Sequence, residues 1–310
     1  MDNDVSAEKD ARRRLAALPG FDAERAESAK LQRLPGLTNR VYQVTSGDER
    51  LCLRIPGKGT EALIDRRAEA ANARAAAAAG VAPEIVHFAD DGTMLTRFVS
   101  GALVTPQHLA EHEGALDRAA EALLTLHQSA APFAGTFRTF ETIDAYVAWL
   151  EAEGAPLRDD QRALLKDAEA VRDALAARPQ ALRPCHCDPT GRNLIDTGRR
   201  VWLIDWEYAA MNDPMWDLAY LSVESRLDLD SDHALLKTYL GRLPREAEAA
   251  RLAVTKVACD LLGVTWALVQ EAQGNSADDF AAYAVRGFGR AATLMGAADF
   301  GRLLALVRSG

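Results

Sequence analysis

The sequence predicts an α+β fold of two unequal parts, a small antiparallel-sheet part over residues 1–99 and a larger, mostly helical part over 100–310. Three observations carry this expectation. Between Leu31 and Val99 short apolar runs alternate residue by residue and are punctuated by turn residues, which is the period of strands. After Gly101 the apolar period lengthens to that of helices and holds to Gly310. One stretch, 182–208, breaks that pattern with short apolar runs and turns. A chain of 310 residues is long enough to bury a sizeable core in either part.

Taken in order, residues 1–30 read as a charged, helical lead-in without recognisable chemistry. VYQVTS and RLCLRIPG flank Ser46-Gly47-Asp48 and predict a β-hairpin. Thr60 is placed to cap the Ala-rich helix EALIDRRAEAANARAAAAA, and Gly80 to stop it. EIVHFAD and TMLTRFV predict two more strands about a turn at Asp90-Asp91-Gly92, with a short connector near 98–102. In the interruption, Leu194-Ile195-Asp196 and Val201-Trp202-Leu203-Ile204 read as a hairpin turning at Thr197-Gly198.

Composition narrows the class. Hydrophobic residues are 48% and charged residues 26%, ordinary values for a globular chain. The net charge of −9 argues against a nucleic-acid partner, which needs a basic face, yet leaves room for one nucleotide held by a few local cations. No uninterrupted apolar run reaches about 18 residues, so no membrane insertion is expected. The N-terminus lacks an apolar signal core, and Cys52, Cys185, Cys187 and Cys259 form no disulfide or zinc pattern. The expectation is a cytoplasmic chain with reduced thiols.

The chemistry is concentrated in HCDPTGRN, that is His186-x-Asp188-x4-Asn193. Moving the γ-phosphate of ATP requires a carboxylate to orient the attacking hydroxyl and oxygen ligands for Mg²⁺. Asp188 suits the first task and Asn193 the second. Asn193 enters the first strand of the predicted hairpin and Asp205 leaves the second, so both belong at its open end, where an amide oxygen and a carboxylate make a hard-oxygen site. His186 is read as a brace for the loop rather than a proton carrier, and His87, His108, His112, His127 and His233 receive no role.

A nucleotide also needs a cation for its α- and β-phosphates and a carboxylate to hold that cation. In RLCLRIPG, Leu51, Leu53 and Ile55 share one face, which turns Arg54 to the other and toward a cleft. Glu69, on the next helix, is its natural partner. Upstream, LPGLTN brings Thr38 and Asn39 to a loop suited to covering phosphates, although neither GxGxxG nor GxxxxGK[ST] is present.

Over most of 31–290 the chain resembles the choline/ethanolamine kinase family, within the aminoglycoside-phosphotransferase and protein-kinase-like fold. The resemblance rests on GLTNRVYQV, LCLRIPGKGTEALIDRRAE, AGVAPEIV, LLTLHQS, HCDPTGRNLI, LIDWEYAAMNDPMWDLAYLSVE and GVTWALVQ, and bacterial choline kinases are especially similar. It implies two kinase-like lobes, ATP with Mg²⁺ between them, and an alcohol acceptor bound in the helical lobe. It also implies an aromatic and acidic cage for a quaternary ammonium, matched here by Tyr208, Glu224, Trp266 and Tyr283. A trimethylammonium group has no N–H to donate, so ring faces and nearby carboxylates must recognise it. Glu207 and Asp213 add charge nearby, and Asp217 is expected to brace the catalytic loop. Two departures stand out: Gly263 where the family often has a second tryptophan, and Thr190 where eukaryotic members commonly have glutamine. The expected function is phosphorylation of choline or a related amino alcohol. The alternatives are a kinase of the same fold acting on ethanolamine, thiamine, an aminoglycoside or a sugar, or a catalytically silent nucleotide-binding relative.

Overall fold

The computed structural model describes residues 2–36, 39–57 and 64–310. The lead-in forms α1 (Asp2–Ala16) and α2 (Ala23–Ser28). The first sheet contains β1 (Lys30–Leu34), β2 (Arg40–Ser46), β3 (Glu49–Ile55), β4 (Ile85–Phe88) and β5 (Met94–Arg97), antiparallel in the order β1-β2-β3-β5-β4. β2 and β3 pair from Ser46↔Glu49 to Arg40↔Ile55 across a turn in which Gly47 takes φ +60°, as the expected hairpin requires. β1, which adds an edge strand upstream, was not expected, because KLQRL lacks the β-branched and turn residues that announce a strand.

Alternation on β3 does two things at once. Leu51, Leu53 and Ile55 point to one face and pack with Tyr42, Val44 and Leu95. The remaining side of that small core comes from the lead-in: Ala11, Leu15, Leu18, Ala26 and Ala29 are all buried in it. Charges fasten the same contact. Arg12 Nη1 donates to the carbonyls of Ala26, Glu27 and Ala29 at 2.7–2.9 Å, satisfying orphan acceptors at the end of α2. Asp10 accepts from Arg40 at 2.6 Å, and Arg14 pairs with Asp91.

α3 (Arg66–Ala78) is capped by Asp65, whose carboxylate accepts from the Arg67 and Ala68 N–H groups. It begins later than the sequence suggests: Ile64 and Asp65 are not helical, and the Thr60 cap lies outside the described residues. Gly80, at φ +77°, ends the helix as expected. The buried face of α3, Ala73 and Ala76, joins the large C-terminal core rather than the sheet's own core.

The C-terminal part has β6 (Ala102–Leu103), β7 (Arg183–Cys185), β8 (Leu194–Asp196), β9 (Val201–Leu203) and β10 (Ala210–Asn212) as two small sheets, β6-β8-β9 and β10-β7. The interruption therefore runs beyond Tyr208 to Asn212. Around these sheets pack α4 (Pro106–Glu111), α5 (Ala115–His127), α6 (Thr139–Ala152), α7 (Asp159–Asp167), α8 (Glu169–Ala177), α9 (Pro214–Ser225), α10 (Leu229–Leu240), α11 (Glu246–Ala272), α12 (Phe280–Met295) and α13 (Phe300–Ser309). Among the described residues α11 alone is long and apolar enough to cross a membrane, although charged residues interrupt its apolar run. Some 78% of its most apolar stretch is buried among its neighbours, as the central helix of a core would be.

Candidate active site

The residues of HCDPTGRN leave β7 in a loop held from beneath by one carboxylate. Asp217, fully buried on α9, accepts the backbone N–H of His186 at 2.8 Å and of Cys187 at 2.9 Å. His127 of α5 bonds the same carboxylate through Nε2 at 2.9 Å and Tyr239 through Nδ1 at 2.8 Å. This grip holds Cys187 at φ +65°, a left-handed conformation that costs a non-glycine residue energy and is kept only where the surroundings over-determine it. His186 accepts the Asp188 N–H at Nδ1 and donates from Nε2 to the Ile204 carbonyl at 2.9 Å, the arrangement of a neutral imidazole. Burial lowers its pKa, consistent with that form. Both ring nitrogens are thereby committed to bracing the loop.

The hairpin sets the next distances. Leu194↔Leu203 is the last β8–β9 pair, and the Ile204 N–H then donates to the Asn193 carbonyl at 2.9 Å. Asn193 and Asp205 thereby meet at the open end, with Asp205 itself at φ +67°. Asn193 Nδ2 donates to both the carbonyl and the carboxylate of Asp188, each at 2.9 Å, which turns its Oδ1 acceptor away from Asp188. Burial, then the charges of Asp205, Glu224 and Glu207, push the Asp188 pKa well above the usual carboxylate range, against the hydrogen bond from Asn193. Burial and Asp205 likewise raise Glu207, to about 7. Glu69, Asp205 and Glu207 bring one carboxylate oxygen each within 4.8 Å of one another. So much crowded negative charge suits a hard cation.

Arg54 crosses the cleft. It is buried, pairs with Glu69, and donates to Asp205 Oδ1 at 2.7 Å. Its Nε has no hydrogen-bond partner among the described residues. Arg66 supports Glu69 at 2.7 Å and approaches Glu207 at 3.5 Å. Asn39 sits on the carboxylate side, its Nδ2 3.4 Å from both Asp205 and Glu207 and its Oδ1 accepting the Gly57 N–H at 3.3 Å. Its side chain is thus committed to positioning. Thr38 lies outside the described residues.

The helical side supplies rings. Tyr283 on α12 donates to Glu224 Oε1 on α9 at 2.7 Å. Trp266 on α11 packs edge-to-face on Phe280, with ring centroids 5.4 Å apart. Burial raises Tyr208, Tyr220 and Tyr283 first, and the Asp188 charge adds to the shift of all three. Tyr146 of α6 acts on Tyr208 in the same way. Gly263 explains one departure from the family pattern: a Cβ there would lie 2.7 Å from Tyr283 Oη and 3.3 Å from Cε1, so Tyr283 fills the room that a side chain at 263 would need.

The structure thus brings Asp188, Asn193, Asp205, Arg54, Glu69 and Asn39 together, the Tyr283–Glu224 pair and Tyr208 lie within electrostatic reach of Asp188, and Trp266 packs on Phe280. Sequence reasoning missed His127, Tyr146 and Tyr220. LLTLHQS carried His127, and WDLAYLSVE placed Tyr220 one turn before Glu224 on α9, but neither forms a chemical motif by spacing alone.

A profile of the phosphotransferase enzyme family matches residues 30–254. A choline/ethanolamine kinase family protein from Mesorhizobium loti is 43% identical over 97% of this chain and 99% of that one, with a TM-score of 0.87. Choline kinase LicA from Streptococcus pneumoniae is 27% identical over 94% and 99% of the two chains, with a TM-score of 0.78. A LicA structure in complex with AMP is 25% identical over 93% and 99%, with a TM-score of 0.74.

Proposed function

Because the chain belongs to the phosphotransferase enzyme family, and within it to the choline/ethanolamine kinases, we propose that it transfers the γ-phosphate of ATP to the hydroxyl of choline or a closely related amino alcohol, giving phosphocholine and ADP. The observation that carries the reading is the Arg54 bridge. One guanidinium joins Glu69 to Asp205, so a buried cation and the oxygen-rich hairpin end occupy one cleft.

Asp188 orients the acceptor hydroxyl and takes its proton as the bond to phosphorus forms. Asn193 and Asp205 would hold Mg²⁺, which would neutralise charge on the triphosphate. The carboxylate crowding that raises Asp188 and Glu207 supports this reading, since a seated cation would relieve it. Arg54, fixed by Glu69, supplies the positive charge that the α- and β-phosphates need. Asn39 supports the nucleotide end from beside Asp205 and Glu207. On the acceptor side Tyr208, Trp266 and Tyr283 present ring faces and Glu224 a carboxylate to a cationic head group. Tyr283 already satisfies one Glu224 oxygen, which favours a head group that needs charge and ring faces over one that needs a hydrogen-bond acceptor.

ADP release from Mg·ATP is measured with choline, ethanolamine, thiamine, a representative aminoglycoside and no acceptor. Choline-dependent turnover well above the other acceptors is expected. Turnover with a different alcohol removes the cage assignment and keeps the phosphoryl-transfer residues. Equal ADP release with and without acceptors overturns the reading.

A further inference from the structure

Asn72 lies one turn after Glu69 on α3 and is 1% exposed. Its side-chain amide makes three hydrogen bonds, all to backbone of the C-terminal part. Nδ2 donates to the Ala209 carbonyl at 2.7 Å and to the Ala134 carbonyl at 3.1 Å, and Oδ1 accepts the Ala134 N–H at 2.7 Å. An asparagine amide is shaped like a peptide group, and here it pairs with residue 134 through both a donor and an acceptor, as a neighbouring strand would. Aspartate lacks the donors and leucine lacks both. The partners are informative as well. Ala209 directly follows Tyr208 and is four residues past Asp205, while the 133–137 segment bonds along β10 through Phe137 N to Met211 O and Met211 N to Gly135 O.

The far end of α3 is attached to the same body. The Leu203 N–H donates to the Val81 carbonyl at 2.8 Å, Arg200 donates to the Gly80 carbonyl, and Ala73 and Ala76 are buried in the large core. α3 is therefore joined along its length to the hairpin and to the loop that carries the candidate metal and acceptor residues. It meets the five-stranded sheet through the Arg54–Glu69 pair and through packing on β4, where Arg74 lies over the Phe88 ring.

We infer that Asn72 is a positioning residue that fixes α3, and through it Glu69, against the backbone carrying Asp205 and Tyr208, so that the place of the Arg54 guanidinium is set from the C-terminal part. The inference rests on the phosphate-gripping role proposed for Arg54 and Glu69.

The test is a double-mutant cycle on ATP affinity, measured by calorimetry without acceptor, for wild type, Asn72→Ala, Glu69→Gln and the double variant. Asn72→Ala weakens ATP binding by about tenfold, a size typical of buried positioning contacts. In the Glu69→Gln background the same change weakens it by no more than about twofold, because its route is already cut. Fully multiplicative effects overturn the inference. A lowered melting temperature with unchanged ATP affinity also overturns it, since that is all a structural role would give. If Asn72→Ala does not fold, Asn72→Asp, which keeps the volume and the Oδ1 acceptor, replaces it in the cycle. Wild-type protein that binds no ATP overturns the underlying nucleotide assignment itself, a result distinct from a multiplicative cycle.

Discussion

At the scale of the residue, the site is governed by which carboxylates are tied and which are left for chemistry. Asp217 is saturated by His186 N–H, Cys187 N–H and His127, so it holds the loop and reacts with nothing. Among the described residues the Asp188 carboxylate accepts only from the Asn193 amide, and the charges of Asp205, Glu224 and Glu207 reach it. Replacing Asp188 by alanine is expected to lower turnover by about 10³-fold or more while ATP affinity stays within about twofold, because the lost group addresses the acceptor hydroxyl and not the triphosphate. Single-turnover ADP formation and ATP titration check the two halves separately, and retained turnover would remove Asp188 from its role. The triad of Asp188, Asn193 and Asp205 was legible in the sequence because its spacing is a loop followed by a hairpin, both local. His127 was not, since its carboxylate partner lies 90 positions away and only tertiary packing brings them together. Tyr283 at the Gly263 slot is of the same kind: a missing side chain on one helix is filled from another.

At the scale of the element, the lead-in is a structural component of the sheet. α1 and α2 supply one side of its core, and Asp10 gathers Arg13, Arg14 and Arg40. Burial pushes the Asp10 carboxyl up, but Arg40, Arg13 and Arg14 together outweigh it and hold the pKa at about 2. An unfolded aspartate titrates near about 3.9, so the ionised form is the one the fold favours. The stability this group contributes is fully present above about pH 4 and is lost as pH falls through about 2. Asp10→Asn is thus expected to lower the urea midpoint near neutral pH, with the gap to wild type closing as the pH approaches about 2. A gap that is constant with pH would mean the arginines do not act through that charge. Alternation made the β2–β3 and β4–β5 hairpins readable, and Gly47, Gly80 and Gly92 marked their turns or a helix stop. The start of α3 was less readable because Thr60 and Asp65 are both competent caps, and Asp65 caps the helix that forms.

At the scale of the whole molecule, the two-part architecture expected from the change in apolar period is present, but the boundary in sequence is not the boundary in packing. α3 and the inner faces of Phe88 and Met94 belong to the large core although they precede residue 99. The sheet thus meets the helical part across a cleft whose walls are joined by Arg54, Asn39 and their acidic partners, and phosphoryl transfer needs that junction closed over its substrates. The most direct test of the central claim is to identify the product by phosphorus NMR after incubation with Mg·ATP and choline. The account predicts phosphocholine and ADP formed in equal amounts, and no inorganic phosphate beyond that of a protein-free control. ADP accompanied by inorganic phosphate alone would contradict it, because the γ-phosphate would then have gone to water and not to the alcohol.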